Sequence, residues 1–303
     1  MFDDNYVTPA LVTFYSMLKN ADKNYFYKLF IVQDEENITE RSKEKLIKVV
    51  KKFKNASLEF KFINQNLDTL WNGVFAAHYS KDILLKLMLP SIFSDFNKII
   101  CTDVDVVFTG DISKSFTGFN LKNHYIAGVR SLEKIDIFIE QQRYSDQLKS
   151  ELKGGIGAGY MIYNLDYMRE DKVEQQLLEN FKKYKTVITQ PEQDIINITI
   201  PNNKILYLPL KYMFCTYMYR LIEKDKRLNI KCSGSWFYYL SKKWKNKIKS
   251  DKYYSKKNIE EAFLNPVQIH YATGVKPWNK VFCYRKLIWL KFRIYSYLVK
   301  YNK

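Results

Sequence analysis

The sequence predicts an α/β protein with a mostly parallel central sheet flanked by helices. Strand-like and helix-like segments alternate through the first half of the chain, and the helical ones are long enough to serve as crossovers between parallel strands. With 303 residues, 47% of them hydrophobic and 16% aromatic, the chain can bury a sizeable core.

The elements follow in order. Leu11, Phe14, Tyr15 and Leu18 fall at i, i+3, i+4 and i+7, behind Thr8 as an N-cap and Pro9 as a first helical residue. "YFYKLFIV" reads as a strand, "RSKEKLIKVVKKFK" as an amphipathic helix and "LEFKFI" as an alternating strand. "KDILLKLMLPSIF" reads as helical up to Pro90, and "NKIICTDVDVVF" returns to strand. Farther on, "KGGIGAGYMIYNLDYM" combines a glycine cluster with a short strand, "VEQQLLENFKKY" is helical, and "VITQPEQDIINITI" turns at Pro191 into another helix. Residues 204 to 260 are rich in Tyr and Lys and give no clear pattern.

Composition excludes several classes. The apolar content is too high for a disordered chain, and no stretch approaches the ~20 apolar residues of a spanning helix. "MFDDNYVTPA" has neither a basic start nor an apolar signal region, so a cytoplasmic location is expected. Cys101, Cys215, Cys232 and Cys283 lie far apart without a zinc or disulfide spacing and read as reduced core residues. The net charge of +17 implies an anionic partner: nucleic acid, an acidic membrane surface or a phosphorylated substrate. No recognisable nucleic-acid motif accompanies the charge, so no nucleic acid is expected.

Chemistry enters at "CTDVDVVFTG", where Asp103 and Asp105 interrupt a strand that is otherwise apolar. In an open parallel sheet the carboxyl ends of strands carry the ligands, and side chains at i and i+2 of an extended chain point the same way. Two such carboxylates are hard oxygen donors suited to Mn²⁺ or Mg²⁺ but need further ligands. "HYATGVKPW" offers His270 as a third ligand and Lys276 as a partner for diphosphate charge. Each motif alone also fits a plainer reading: a capped turn for the Asp pair, and a satisfied loop histidine beside an exposed lysine.

Together the motifs resemble glycosyltransferase family 8, retaining enzymes that include bacterial lipopolysaccharide galactosyl- and glucosyltransferases and glycogenin. The resemblance runs in order through "DDNY", "DVD", "GAGYMIYNL", "PEQDIIN" and "HYATGVKPW". It implies a GT-A type, Rossmann-like fold over residues 1–283 and transfer of a hexose from UDP-glucose or UDP-galactose to a glycan or lipid-linked saccharide acceptor. By the same resemblance Asp103, Asp105 and His270 would bind Mn²⁺, or Mg²⁺ in its place, and Lys276 would contact the UDP diphosphate. Asp4 and Asn5 would receive the nucleoside, and Lys86 would stand where the family usually has a donor-facing arginine. Gln193 and Asp194 would be the catalytic pair beside the sugar, Gln193 stabilising developing positive charge and Asp194 holding sugar hydroxyls. Without the resemblance, the last two read as helix N-terminal caps after Pro191, and Asp4 and Asn5 as a polar turn.

Some positions depart from the family pattern. Gly157 stands where an asparagine is common, Ser131 near a usual aspartate, and Thr273 where "HxxGxxK" has its glycine. Only Met1 and Phe2 precede Asp3, where members place a full strand, so a shortened start is expected. These departures favour the alternative of a catalytically weakened nucleotide- or glycan-binding protein of the same fold. Residues 284–303 form a basic, aromatic helical extension without an acidic residue. It would either pack on the core or lie on an anionic membrane with Trp289, Phe292 and Tyr295 in the interface.

Overall fold

A computed structural model describes the chain apart from residues 35–36, 77–78, 219–249, 273, 275, 280–285 and 302–303. The expectations placed on Cys232, Cys283, Thr273 and the start of the tail at Tyr284 lie outside the described residues. A short 3-10 turn, Asp4–Tyr6, leads into helix α1, Val7–Lys19. The helix starts ahead of the Thr8–Pro9 signal, with Tyr6 at its N-cap, and Pro9 falls within its first turn, where a missing N–H costs nothing. Ten of its 13 residues are buried, so α1 is a core helix.

Strands β1, Tyr27–Gln33, and β2, Ala56–Phe62, pair in parallel, and α2, Glu40–Val50, is their crossover. This is the βαβ unit that the spacing predicts. Helix α3, Leu67–Trp71, and a 3-10 segment, Lys81–Leu87, precede α4, Leu89–Ile92. The helical run therefore breaks before Pro90, which sits in the first turn of α4.

The run Asn97–Phe108 does not form one strand. It divides into β3, Lys98–Thr102, and β4, Val106–Phe108, which enter different sheets. Asp103, Val104 and Asp105 occupy the bend between them. After α5, Ser113–Gly118, come β5, Ile126–Arg130, then α6, Glu133–Glu140, and α7, Asp146–Leu152. Strand β6, Ile156–Asn164, follows and is buried over all but its last residue. Helices α8, Leu165–Glu170, α9, Val173–Tyr184, and α10, Pro191–Thr199, then lead to β7, Ile205–Leu208.

The four-stranded sheet has the order β3-β6-β5-β7, with β6 antiparallel to both neighbours and β5 parallel to β7. Strands β8, Phe214–Cys215, and β9, Gln268–His270, join β4 in the order β4-β9-β8, with β9 antiparallel to β4 and parallel to β8. The helix-flanked α/β class is as predicted, with parallel pairing at β1–β2, β5–β7 and β8–β9 and antiparallel pairing at the other three contacts.

Helix α11, Lys256–Leu264, begins with a capping box between Ser255 and Asn258. The last helix, α12, Lys286–Tyr301, turns Trp289 and Phe292 inward, at 3% and 2% exposure. Phe292 meets Tyr271 edge-on at 5.8 Å and Trp278 at 5.3 Å, while Asn20 Nδ2 of the segment after α1 donates to Tyr295 Oη at 2.9 Å. These aromatics hold the helix to the protein and are not the ones available to a membrane. The outward residues are Leu290, Ile294, Tyr297 and Tyr301. Among the described residues no helix is long and apolar enough to cross a membrane.

Because Phe292 packs on both Tyr271 and Trp278, Phe292→Ala is expected to cost about 3–5 kcal/mol. Urea unfolding of the purified variant measures this, and a loss under about 1 kcal/mol would contradict the packing.

Candidate metal and nucleotide site

Strand β9 runs between β4 and β8, so its last residue, His270, pairs with Val106 on one side and Cys215 on the other. The bend between β3 and β4 carries the two aspartates across to the same ring. His270 Nε2 lies 3.4 Å from Asp103 Oδ2 and 3.1 Å from Asp105 Oδ1. One donor atom from each of the three residues lies within 4.8 Å of the others. The i, i+2 spacing thus brings both carboxylates to one point, although the chain there is a bend and not continuous strand.

Two lysines flank this point. Lys86 Nζ lies 2.6 Å from Asp103 Oδ1 and 3.1 Å from Glu192 Oε1, and also donates to the Ala158 carbonyl at 3.3 Å. Lys276 Nζ lies 2.6 Å from Asp105 Oδ2 and 2.8 Å from the Tyr271 carbonyl. Burial opposes the Lys86 ammonium, but the carboxylates of Asp103 and Glu192 outweigh it and hold its pKa well above the ordinary lysine value. Burial likewise opposes ionisation of Asp105, yet His270 and Lys276 outweigh it and depress the pKa. His270 is raised well above its ordinary value because Asp105 outweighs the burial of the ring. Three carboxylates therefore face two lysines and the His270 ring, and a cation entering among the three donor atoms would displace the ring proton. The donor set, two carboxylate oxygens and an imidazole nitrogen, fits Mn²⁺ or Mg²⁺ with positions left for other oxygens.

The backbone around the site is held by two hubs. The Gly159 carbonyl in β6 accepts from Asp103 N–H at 3.3 Å, Thr102 Oγ1 at 3.1 Å and Gln268 Nε2 at 3.2 Å. On the other side the Thr13 hydroxyl of α1 lies 2.7 Å from the Val104 carbonyl and 2.8 Å from that of Val106. Gly159 also has to be glycine: a Cβ there would sit 2.5 Å from His270 Nδ1 and 2.6 Å from its Cε1.

The other expected residues are placed differently. Gln193 is brought to the same region: its Oε1 accepts from Ala158 N–H at 3.0 Å, and its Nε2 donates to Gln190 Oε1 at 2.8 Å. Asp194 is 5% exposed and its Oδ2 accepts from the N–H groups of Thr189 and Gln190, both at 3.0 Å, fastening the start of α10. Asp4 and Asn5 form the exposed turn before α1. Asp4 accepts from Thr39 N–H at 3.1 Å, Asn5 is tied to Asp3, and the neighbouring Tyr6 packs edge-on against Trp278 at 5.9 Å. Gly157 leaves a space that Met213 fills, so a larger residue there would collide with the Met213 side chain. Ser131 is buried, and its N–H donates to the Gly155 carbonyl at 2.8 Å.

Sequence reasoning passed over Glu192, Thr13, Gly159 and Cys215. Glu192 adjoins the Gln193–Asp194 pair within "PEQDIIN" and looks ordinary there; its partner is the buried Lys86, which the fold brings to it. Nothing in the sequence marks Thr13, whose partner carbonyls lie about ninety residues away.

Comparison with known proteins agrees with this geometry. Among curated proteins, a putative glycosyltransferase of Haemophilus influenzae is 26% identical over 232 residues, covering 75% of this chain and 66% of its own length. General stress protein A of Bacillus subtilis is 21% identical over 281 residues, covering 91% of this chain and 85% of its own length. Among solved structures, the galactosyltransferase LgtC in complex with donor and acceptor sugar analogs superposes with a TM-score of 0.66 at 16% identity, over 97% of this chain and 93% of LgtC. The bifunctional WbbM superposes with a TM-score of 0.70 at 22% identity over 97% of this chain, which spans 48% of the WbbM chain. The model of the family described as "Glycosyl transferase family 8" matches residues 1–281, and with the Asp103–Asp105–His270 cluster in place the chain belongs to glycosyltransferase family 8.

Proposed function

We propose that this glycosyltransferase moves a hexose, glucose or galactose, from a UDP-sugar to a glycan or lipid-linked saccharide acceptor in cell-surface polysaccharide or lipopolysaccharide synthesis, with retention at the anomeric carbon. The observation that carries this reading is the convergence of Asp103, Asp105 and His270 between Lys86 and Lys276. Asp103, Asp105 and His270 would hold Mn²⁺ or Mg²⁺. When bound, such an ion supplies Lewis-acid stabilisation of the departing diphosphate. Lys276 adds a second positive charge at the same end of the donor. Lys86, locked between Asp103 and Glu192, fixes the approach of the sugar and keeps Asp103 from turning away. Its ammonium gives a point charge where an arginine would give a fork.

Gln193 is oriented before any substrate arrives, because both ends of its carboxamide are hydrogen-bonded. In front-face attack the acceptor hydroxyl enters on the side from which the diphosphate leaves, and the Gln193 carboxamide stabilises positive charge on the sugar. Asp194 acts one step back, holding the turn that carries Gln193. The outward face of α12, with Leu290, Ile294, Tyr297 and Tyr301 beside Lys291, Arg293 and Lys300, supports contact with anionic lipid, close to a lipid-linked acceptor.

Slow hydrolysis of the donor in the absence of acceptor tests the reading without knowledge of the acceptor. UDP release from UDP-glucose or UDP-galactose should require Mn²⁺ and should fall at least ~100-fold in Asp103→Ala with the fold retained. A folded Asp103→Ala variant of unchanged rate would sink the assignment.

Asp194 gives a second test. Burial pushes its pKa up to about 6, above the unfolded value of about 3.9. Its contribution to stability is therefore present below about pH 4 and lost as the pH rises through about 6. Between pH 4 and pH 7 the wild type should lose about 2 kcal/mol relative to Asp194→Asn in urea unfolding, and parallel pH profiles would contradict the buried placement.

A further inference from the structure

His270 uses one ring nitrogen toward the aspartates, which leaves Nδ1 facing back into the sheet. A ligating histidine is held in orientation and tautomer by whatever its second nitrogen meets, commonly a carboxylate or carbonyl oxygen. Here the hydrogen-bond partner of Nδ1 among the described residues is a thiol: Cys215 Sγ, at 3.8 Å. The contact is built into the sheet, since Cys215 and His270 are register partners in the parallel β8–β9 pair. Both residues are buried, at 3% and 8% exposure. The ring has little room to turn, with Gly159 against Nδ1 and Cε1 and Met213 Sδ 3.2 Å from the point a Gly159 Cβ would occupy.

We propose that Cys215 is a positioning residue for the metal ligand His270: its sulfur accepts the Nδ1–H, which keeps Nε2 facing the Asp103–Asp105 pair as the nitrogen that takes the metal ion. This rests on the metal-dependent reading given above. A cysteine that merely filled space in β8 would be interchangeable with an apolar residue of similar size. A cysteine that fixes the tautomer would be replaceable by a hydroxyl and not by a hydrocarbon, because only the hydroxyl can accept the N–H.

The test compares Mn²⁺ affinity, read as loss of the free-ion electron paramagnetic resonance signal, in wild type, Cys215→Ser, Cys215→Ala and Cys215→Val, each checked for an intact melting transition. Cys215→Ser should stay within about threefold of wild type, while Cys215→Ala and Cys215→Val should bind about 10–100-fold more weakly. Wild-type affinity in folded Cys215→Val overturns the positioning role and leaves the metal site standing. Failure of the wild type to bind Mn²⁺ overturns the metal reading and this proposal with it. Should the variants not fold, nitrogen-15 spectra of histidine-labelled wild type loaded with diamagnetic Mg²⁺ decide the matter. A protonated Nδ1 on His270 is expected, and an unprotonated one refutes the proposal.

Discussion

Two carboxylates held two residues apart repel one another, and Asp105 has the added burden of burial at 8% exposure. The structure around the site follows from meeting that repulsion. Lys86 comes from the 3-10 segment before α4, Lys276 from the loop after β9, and His270 from the centre of the three-stranded sheet. Each brings positive charge or an N–H to a different edge of the aspartate pair. Two lysines and the His270 ring meet the three carboxylates, and a divalent cation would enter by displacing the ring proton and, once bound, would draw in a diphosphate.

Holding these groups requires the chain to break a strand. The Asp103 N–H still reaches the Gly159 carbonyl of β6, one bond beyond the β3–β6 register, and the chain then bends so that β4 leaves for a second sheet. Thr13 of α1 closes the other side by meeting the carbonyls that flank Asp105. The last helix takes part as well: Phe292 packs on Tyr271 and Trp278, which bracket Lys276 in the chain. A basic tail that reads from sequence either as a core-packed helix or as a membrane-lying one thus supports the segment around a site residue.

The Asp pair amid apolar strand residues and the scarce histidine made the cluster a candidate, because such residue types are costly elsewhere, and the resemblance carried by the ordered motifs joined Lys86 to it. The βαβ start was legible too, since periodicity and crossover length depend only on local sequence. The antiparallel placement of β6 was not, because strand direction depends on pairings made across the whole chain. The inward face of α12 was left open for a similar reason: a helix with aromatics on several sides does not reveal which side meets Tyr271. Glu192 and Cys215 were hidden because a glutamate after a helix-starting proline and a cysteine beside a phenylalanine look ordinary. Only the fold shows that one faces Lys86 and the other His270.

The central claim is that the Asp103–Asp105–His270 cluster holds a divalent ion through which the chain binds its nucleotide donor. Calorimetric titration of UDP into the purified protein, with Mn²⁺ and then with EDTA, addresses it without any knowledge of sugar or acceptor. The account predicts binding with Mn²⁺ and at least about tenfold weaker binding with EDTA. Equal affinity in both conditions, or no binding with Mn²⁺ present, would contradict it.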